Sequence, residues 1–131
     1  MLVKLLFIAI GGGVGAVARW LVAGAAQRLA PSGAFPIGTL VVNALGCLII
    51  GFLAAMFTAP GGIRVREAHR LAILVGLLGG FTTFSTFAYE TLTLADDGQL
   101  ARAGVNVLAS NIIGLICVWI GYRFGQRLFG V

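Results

Sequence analysis

The stretch GLLGGFTTFSTFAYE, Gly76–Glu90, lies inside a run of the chain apolar enough to cross a bilayer. Yet it carries two adjacent glycines, four serine and threonine hydroxyls and three phenylalanines. Gly79-Gly80 followed by Phe81-Thr82-Thr83 makes a poor helix interior. Each glycine costs about 1 kcal/mol relative to alanine, and β-branched threonines crowd the preceding turn. The pattern predicts a span that gives way at its middle, at the glycine pair and the residues that follow. A break within hydrocarbon exposes N–H and C=O groups that lipid cannot satisfy. It survives only where it is buried in protein, lines water or binds an ion. Freed carbonyls favour a cation, whereas the N–H groups opening a helix favour an anion.

The composition around this stretch sets the class. Of 131 residues, 60% are hydrophobic and 10% charged, with a mean hydropathy of +1.05. Soluble domains run at roughly 45–50% apolar and about 25% charged, so the chain reads as an all-α integral membrane protein. A hydrocarbon core about 30 Å thick takes on the order of 20 helical residues. The length allows four spans with short loops and leaves no room for a soluble domain. The net charge of +5 comes from basic residues scattered at span ends, which suits anionic headgroups better than nucleic acid. Cys47 and Cys117 fall in different apolar spans with no CxxC spacing, and read as inert buried thiols. The N-terminus reads as a first span rather than a cleaved leader, because its apolar stretch resumes beyond Arg19.

Turn residues divide the chain into spans of about 2–29, 35–58, 71–94 and 100–120, within a single domain of residues 1–131. The punctuation is Pro31-Ser32-Gly33, then Ala59-Pro60-Gly61-Gly62 with a charged loop, then Asp96-Asp97-Gly98. Four spans place Lys4, Arg64, Arg66, Arg70, Arg123 and Arg127 on one side and Arg28 and Arg102 on the other. Taken alone, this asymmetry puts both termini in the cytoplasm. Gly11 and Gly15, Gly76 and Gly80, and Gly121 and Gly125 have the spacing that lets helix backbones approach closely.

Polar residues inside the other spans have two readings each. Arg19 lies where a charge costs about 2.5–3.5 kcal/mol on insertion scales. It either snorkels to an interface or faces a wet vestibule and concentrates anions. Thr39, Asn43 and Cys47 share one face of the second span. Asn43 is either an interhelical hydrogen bond worth about 0.6 kcal/mol on average or a donor on a polar path. Asn106, Ser110 and Gly114 form a matching face on the fourth span, with Asn111 beside them, although Ser110 can also bond back to its own helix. Phe84 and Phe87 are neighbours at i, i+3, flanked by Thr83 and Thr86 at the same spacing. They either pack, or present the positive ring edge to an anion.

Three features then converge on one family. GTLVVN (Gly38–Asn43), GGFTTFSTFAYE (Gly79–Glu90) and the short four-span layout resemble the Fluc (CrcB) fluoride channels over essentially the whole chain. The resemblance implies a passive channel exporting fluoride across the bacterial inner membrane to limit fluoride toxicity. It implies an antiparallel, dual-topology homodimer with two pores, and a structural Na⁺, not transported, held at the dimer centre by main-chain carbonyls. Carried over by position, Gly79 and Thr82 supply those carbonyls. Asn43, Phe84, Phe87 and Ser110 line the fluoride pathway together with Thr83, Thr86 and Thr39, and Arg19 stands in the vestibule. Glu90 fits a motif position near the path. Asn106 departs from the family, where some members carry an aromatic residue. Dual topology requires little Lys/Arg bias, so that expectation conflicts with the charge count above.

The rival class is a small four-span, proton-coupled multidrug exporter. It needs a carboxylate within the membrane, and Glu90 is the one acid near a span interior. A structural subunit, with polar stripes as glue, is a further alternative. An enzyme is not expected: His69 is a lone loop histidine, and no base–nucleophile constellation is visible.

Overall fold

The computed structural model describes residues 1–30 and 35–130; the turn expected at Pro31-Ser32-Gly33 lies outside them. The first span is α1, Leu2–Arg28, and the second is α2, Ile37–Thr58. The third is composite, running through α3 (Glu67–Leu71), a π-helical segment (Ala72–Leu77), α4 (Leu78–Phe81) and α5 (Phe84–Asp96). The fourth is α6, Leu100–Phe129. All four stretches are long and apolar enough to cross a membrane, so the chain is a multi-pass helical membrane protein.

Local chemistry sets most of the ends. Ala59 is extended (φ −64°, ψ 146°), as the ring of Pro60 requires of the residue before it. Gly98 takes φ 75° in the turn after α5. The left-handed Gly130 closes α6, with its N–H on the Gln126 carbonyl. The last helix therefore continues well past Ile120, because Gly121 and Gly125 keep it packed on α2.

The bundle is built from two parallel pairs. A Cβ at Gly11 would collide with the Ala72 carbonyl, one at Gly15 with the Leu77 carbonyl, and one at Gly80 with the Gly12 carbonyl. Thus α1 lies backbone-to-backbone on the third span. On the other side, Gly51 meets the Val118 carbonyl and Gly121 the Leu48 carbonyl, making α2 against α6 the most extensive contact in the chain. Van der Waals approach replaces the hydrophobic effect as the force between these helices. At the edge of the first pair, Lys4 bonds the Glu67 carboxylate and Phe7 stands edge-on to His69, centroids 5.1 Å apart.

The π-helical turn is absent from any sequence expectation. AILVGL contains no proline and no hydroxyl, and the segment lies close against α1 at Gly11. Only 6–22% of each span's most apolar window is buried, so the apolar surface faces outward, towards lipid or another chain.

Replacing Gly15 with valine should therefore part α1 from the third span, at the 1–3 kcal/mol typical of overpacking. Gly13→Ala, whose added carbon meets nothing within 4 Å, serves as the control. Thermal unfolding in lipid or detergent should drop for the first and hold for the second; equal melting would contradict this packing.

Candidate ion-conducting site

The third span does break, two residues beyond the glycines. Gly79 and Gly80 stay helical within α4, and the chain becomes extended at Thr82 (φ −90°, ψ 159°) and Thr83 (φ −153°, ψ 118°). Gly80 must stay helical to seat against Gly12, whereas β-branched threonine suits an extended backbone. The expectation of a break at the glycine pair is corrected accordingly. Gly46 of α2 makes room for it, since a Cβ there would strike the Thr82 methyl.

Asn43 satisfies the broken strand. Its Oδ1 accepts from the Thr83 N–H at 2.8 Å and its Nδ2 donates to the Thr83 carbonyl at 3.0 Å. The first bond replaces the one the Thr83 N–H loses, and the second adds a donor to a carbonyl that, at the N-cap of α5, also accepts that helix's first bond. In an unbroken helix the Thr83 N–H would go to the Gly79 carbonyl, and the Thr86 N–H to the Thr82 carbonyl. Here the first goes to Asn43 and the second to the Thr83 hydroxyl, at 3.2 Å. The two carbonyls assigned to Na⁺ by resemblance are therefore two that lose their helical donors. Among the described residues no group of three or more His, Cys, Asp or Glu side chains could hold a metal ion. Main-chain oxygens are the donors the break offers a hard cation, and Gly79 and Thr82 fit that role.

Downstream, Thr83 caps α5, and its hydroxyl also meets Thr86 Oγ1 at 3.0 Å and Ser85 Oγ at 3.2 Å. The result is a knot of neutral hydroxyls at the electropositive end of a helix. Ser85 was not anticipated as part of it.

Two cavities meet at this knot. The first, about 380 Å³, is bounded by Asn43, Phe84, Phe87 and Ser110, with Gly79 and Thr82 from the break. The second, about 600 Å³, is bounded by Arg19, Thr39, Thr86 and Glu90. Thr83 belongs to both. The Phe84 and Phe87 centroids lie 5.4 Å apart with planes at 51°, but their settings differ. Phe87 is 8% exposed and Phe84 78%, so the first cavity is a groove lacking an outer wall.

The remaining candidates sort by cavity. Thr39 and Glu90, uncertain from sequence, are joined by a 2.8 Å hydrogen bond from the threonine hydroxyl to Oε1, while the buried Oε2 has no hydrogen-bond partner among the described residues. Arg19, half-buried, lines the same space. Asn106 is 1% exposed and lines neither cavity. Its Nδ2 donates to Thr91 Oγ1 at 2.8 Å, and Thr91 in turn donates to the Phe87 carbonyl at 2.7 Å, so it fixes α6 on α5. Ser110 reaches Asn106 Oδ1 at a long 3.5 Å and keeps its place on the groove. Gln27 was missed altogether: its Nε2 donates to the Phe35 carbonyl, and its Oε1 accepts from the Gly38 N–H, both at 3.0 Å. It thereby fixes the start of α2. A glutamine at the end of one apolar helix, eleven residues before its partner, carries no periodic signal.

Asn43→Leu removes both bonds to Thr83 and orphans its N–H, at a cost of about 1–3 kcal/mol. It should lower the unfolding midpoint in lipid markedly; a wild-type midpoint would contradict the clamp.

With this geometry in place, the comparisons with known proteins are direct. The profile of the family described as CrcB-like protein, Camphor Resistance (CrcB), matches residues 6–122. Relatives bearing the name fluoride-specific ion channel FluC come from several bacteria. That of Opitutus terrae is 45% identical over 118 residues, covering 89% of this chain and 88% of its own. The Geobacter sulfurreducens protein is 45% identical over 124 residues, covering 95% and 98%. The Maridesulfovibrio salexigens protein is 40% identical over 125 residues, covering 95% and 97%. These relatives are named as channels, not enzymes. A broken third span, the motifs flanking it and agreement along nearly the full length lead to one conclusion: the chain belongs to the CrcB family, the Fluc channels.

Proposed function

We propose that this chain is a passive, fluoride-selective channel that lets F⁻ leave a bacterial cytoplasm across the inner membrane, relieving fluoride toxicity. The observation that carries this reading is the Asn43–Thr83 clamp, which holds a main-chain break open beside a groove of neutral donors. Fluoride is small, strongly hydrated and a strong hydrogen-bond acceptor. A path for it must replace its water with donors and still release it. The Ser110 hydroxyl, the second N–H of Asn43 and the opening N–H groups of α5 are such donors. The ring edges of Phe84 and Phe87 add attraction without full charge. Keeping Arg19 one cavity away attracts anions without trapping them at the narrowest point. The hydroxyls of Thr83 and Thr86, backed by Thr39, join the two cavities.

The working unit in this proposal is an antiparallel homodimer with two pores. The groove that Phe84 leaves unwalled supports it, as does the exposed Gly79 beside the break. The carbonyls of Gly79 and Thr82 from each of two chains would hold a structural Na⁺, which is not transported. When bound, that ion supplies positive charge holding two broken spans together.

The exporter reading draws on Glu90, a carboxylate in the third span with one oxygen unpartnered among the described residues. Its other oxygen is tied to Thr39, which suits a fixed wall better than a shuttling proton carrier.

Vesicles loaded with fluoride and carrying the purified protein should empty without a proton gradient, retain chloride, and stop emptying when Na⁺ is removed. Equal chloride release would contradict selectivity, and dependence on a proton gradient would favour the exporter. Undiminished flux without Na⁺ would remove the Gly79–Thr82 assignment alone.

A further inference from the structure

The two cysteines have no part in the pathway so far, and the packing of α2 on α6 brings them onto a common seam. A Cβ built on Gly114 would lie 3.4 Å from Cys47 Sγ. Cys117 follows Gly114 by three residues and precedes Gly121 by four, and Gly121 is pressed on the Leu48 carbonyl. Residues at these spacings share one helix face, so Cys117 faces α2. Helical side chains lean towards the N-terminal turn, which carries the Cys117 thiol in the direction of Gly114, beside which the Cys47 sulfur lies. Neither is in a disulfide, and neither is fully buried.

Cys47 also stands one helical turn after Asn43 and lines the groove of Phe84, Phe87 and Ser110. We propose that Cys47 and Cys117 form a two-thiolate site for a soft, thiophilic cation, and that filling it closes the adjacent groove. Sulfur ligands select soft ions. Ions that accept two opposed sulfurs, such as Hg(II), Ag(I) or Cu(I), need no third ligand, which matches the absence of a larger ligand cluster among the described residues. The binding step is a proton exchange without oxidation. Two S–H bonds break, two metal–sulfur bonds form, and two protons leave to water. Once two thiolates are bound the site carries no net positive charge, so the ion acts by its bulk, which sits one helical turn from Asn43 and narrows the groove. The closing effect rests on the groove being the fluoride path; the binding does not.

The test uses the full-length protein in lipid vesicles in chloride-free buffer, with Hg(II) as the probe. Intact mass should give one mercury per chain, retained against an excess of a monothiol such as glutathione. Fluoride efflux should be lost at that stoichiometry and return on adding a dithiol. Cys117→Ser, which leaves the groove lining intact, should keep its basal efflux and surrender mercury to glutathione. Two mercuries per wild-type chain, or retention in Cys117→Ser equal to the wild type, would overturn the paired site. Bound mercury with undiminished efflux would overturn the closing effect. A chain that binds one mercury but never passes fluoride would instead defeat the channel reading and leave the metal site standing.

Discussion

Everything about this molecule turns on one side-chain amide. A peptide group stripped of its helical partners inside a bilayer has no water to fall back on. The Thr83 N–H would be such a group if Asn43 did not accept from it, and the same amide also donates to the Thr83 carbonyl. With that clamp, a main-chain break at mid-membrane becomes a stable feature. The clamp satisfies the Thr83 N–H, while the carbonyls of Gly79 and Thr82 lose the donors an unbroken helix would give them.

The rest of the fold serves that break from a distance. Glycine contacts weld α1 to the third span up to Gly80 and α2 to α6 along Gly51 and Gly121, so the break occurs between two rigid pairs. Gly46 gives Thr82 its space, and Asn106, through Thr91, fixes the helix that carries Phe87. Charge is kept out of the groove. The ionisable residues Arg19 and Glu90 line the neighbouring cavity, and the groove is left with hydroxyls, amides and ring edges. A neutral, donor-rich lining is what a strongly hydrated anion requires if it is to enter and then leave.

Much of this was legible in the sequence because its cues are local. Four apolar runs punctuated by proline and glycine gave four spans, and the glycine spacings marked real backbone contacts. The glycine–threonine stretch marked a break, displaced by two residues. That displacement is instructive: Gly79-Gly80 looks weak on helix propensity alone, but Gly80 serves a tertiary contact with Gly12, and the backbone yields where β-branched Thr82 and Thr83 follow. Non-local features left no such trace. The partnership of Asn43 with Thr83 spans forty residues, and the fixing role of Gln27 depends on where α2 begins. The π-helical turn of Ala72–Leu77 lies against α1 in a sequence with no breaker of its own. Asn106 had the right spacing for a pathway residue beside Ser110, yet burial places it in the α5–α6 seam.

The most direct test is to locate the ion itself. Solid-state magnetic resonance on the protein in lipid can measure transfer from bound ¹⁹F⁻ to nearby protons. Fluoride seated at the break should couple to the ring protons of Phe84 and Phe87 and to the Asn43 side-chain amide, and lose that coupling when chloride replaces it. Fluoride coupled only to the Arg19 guanidinium, or to no protein proton at all, would contradict a pathway built on the opened third span.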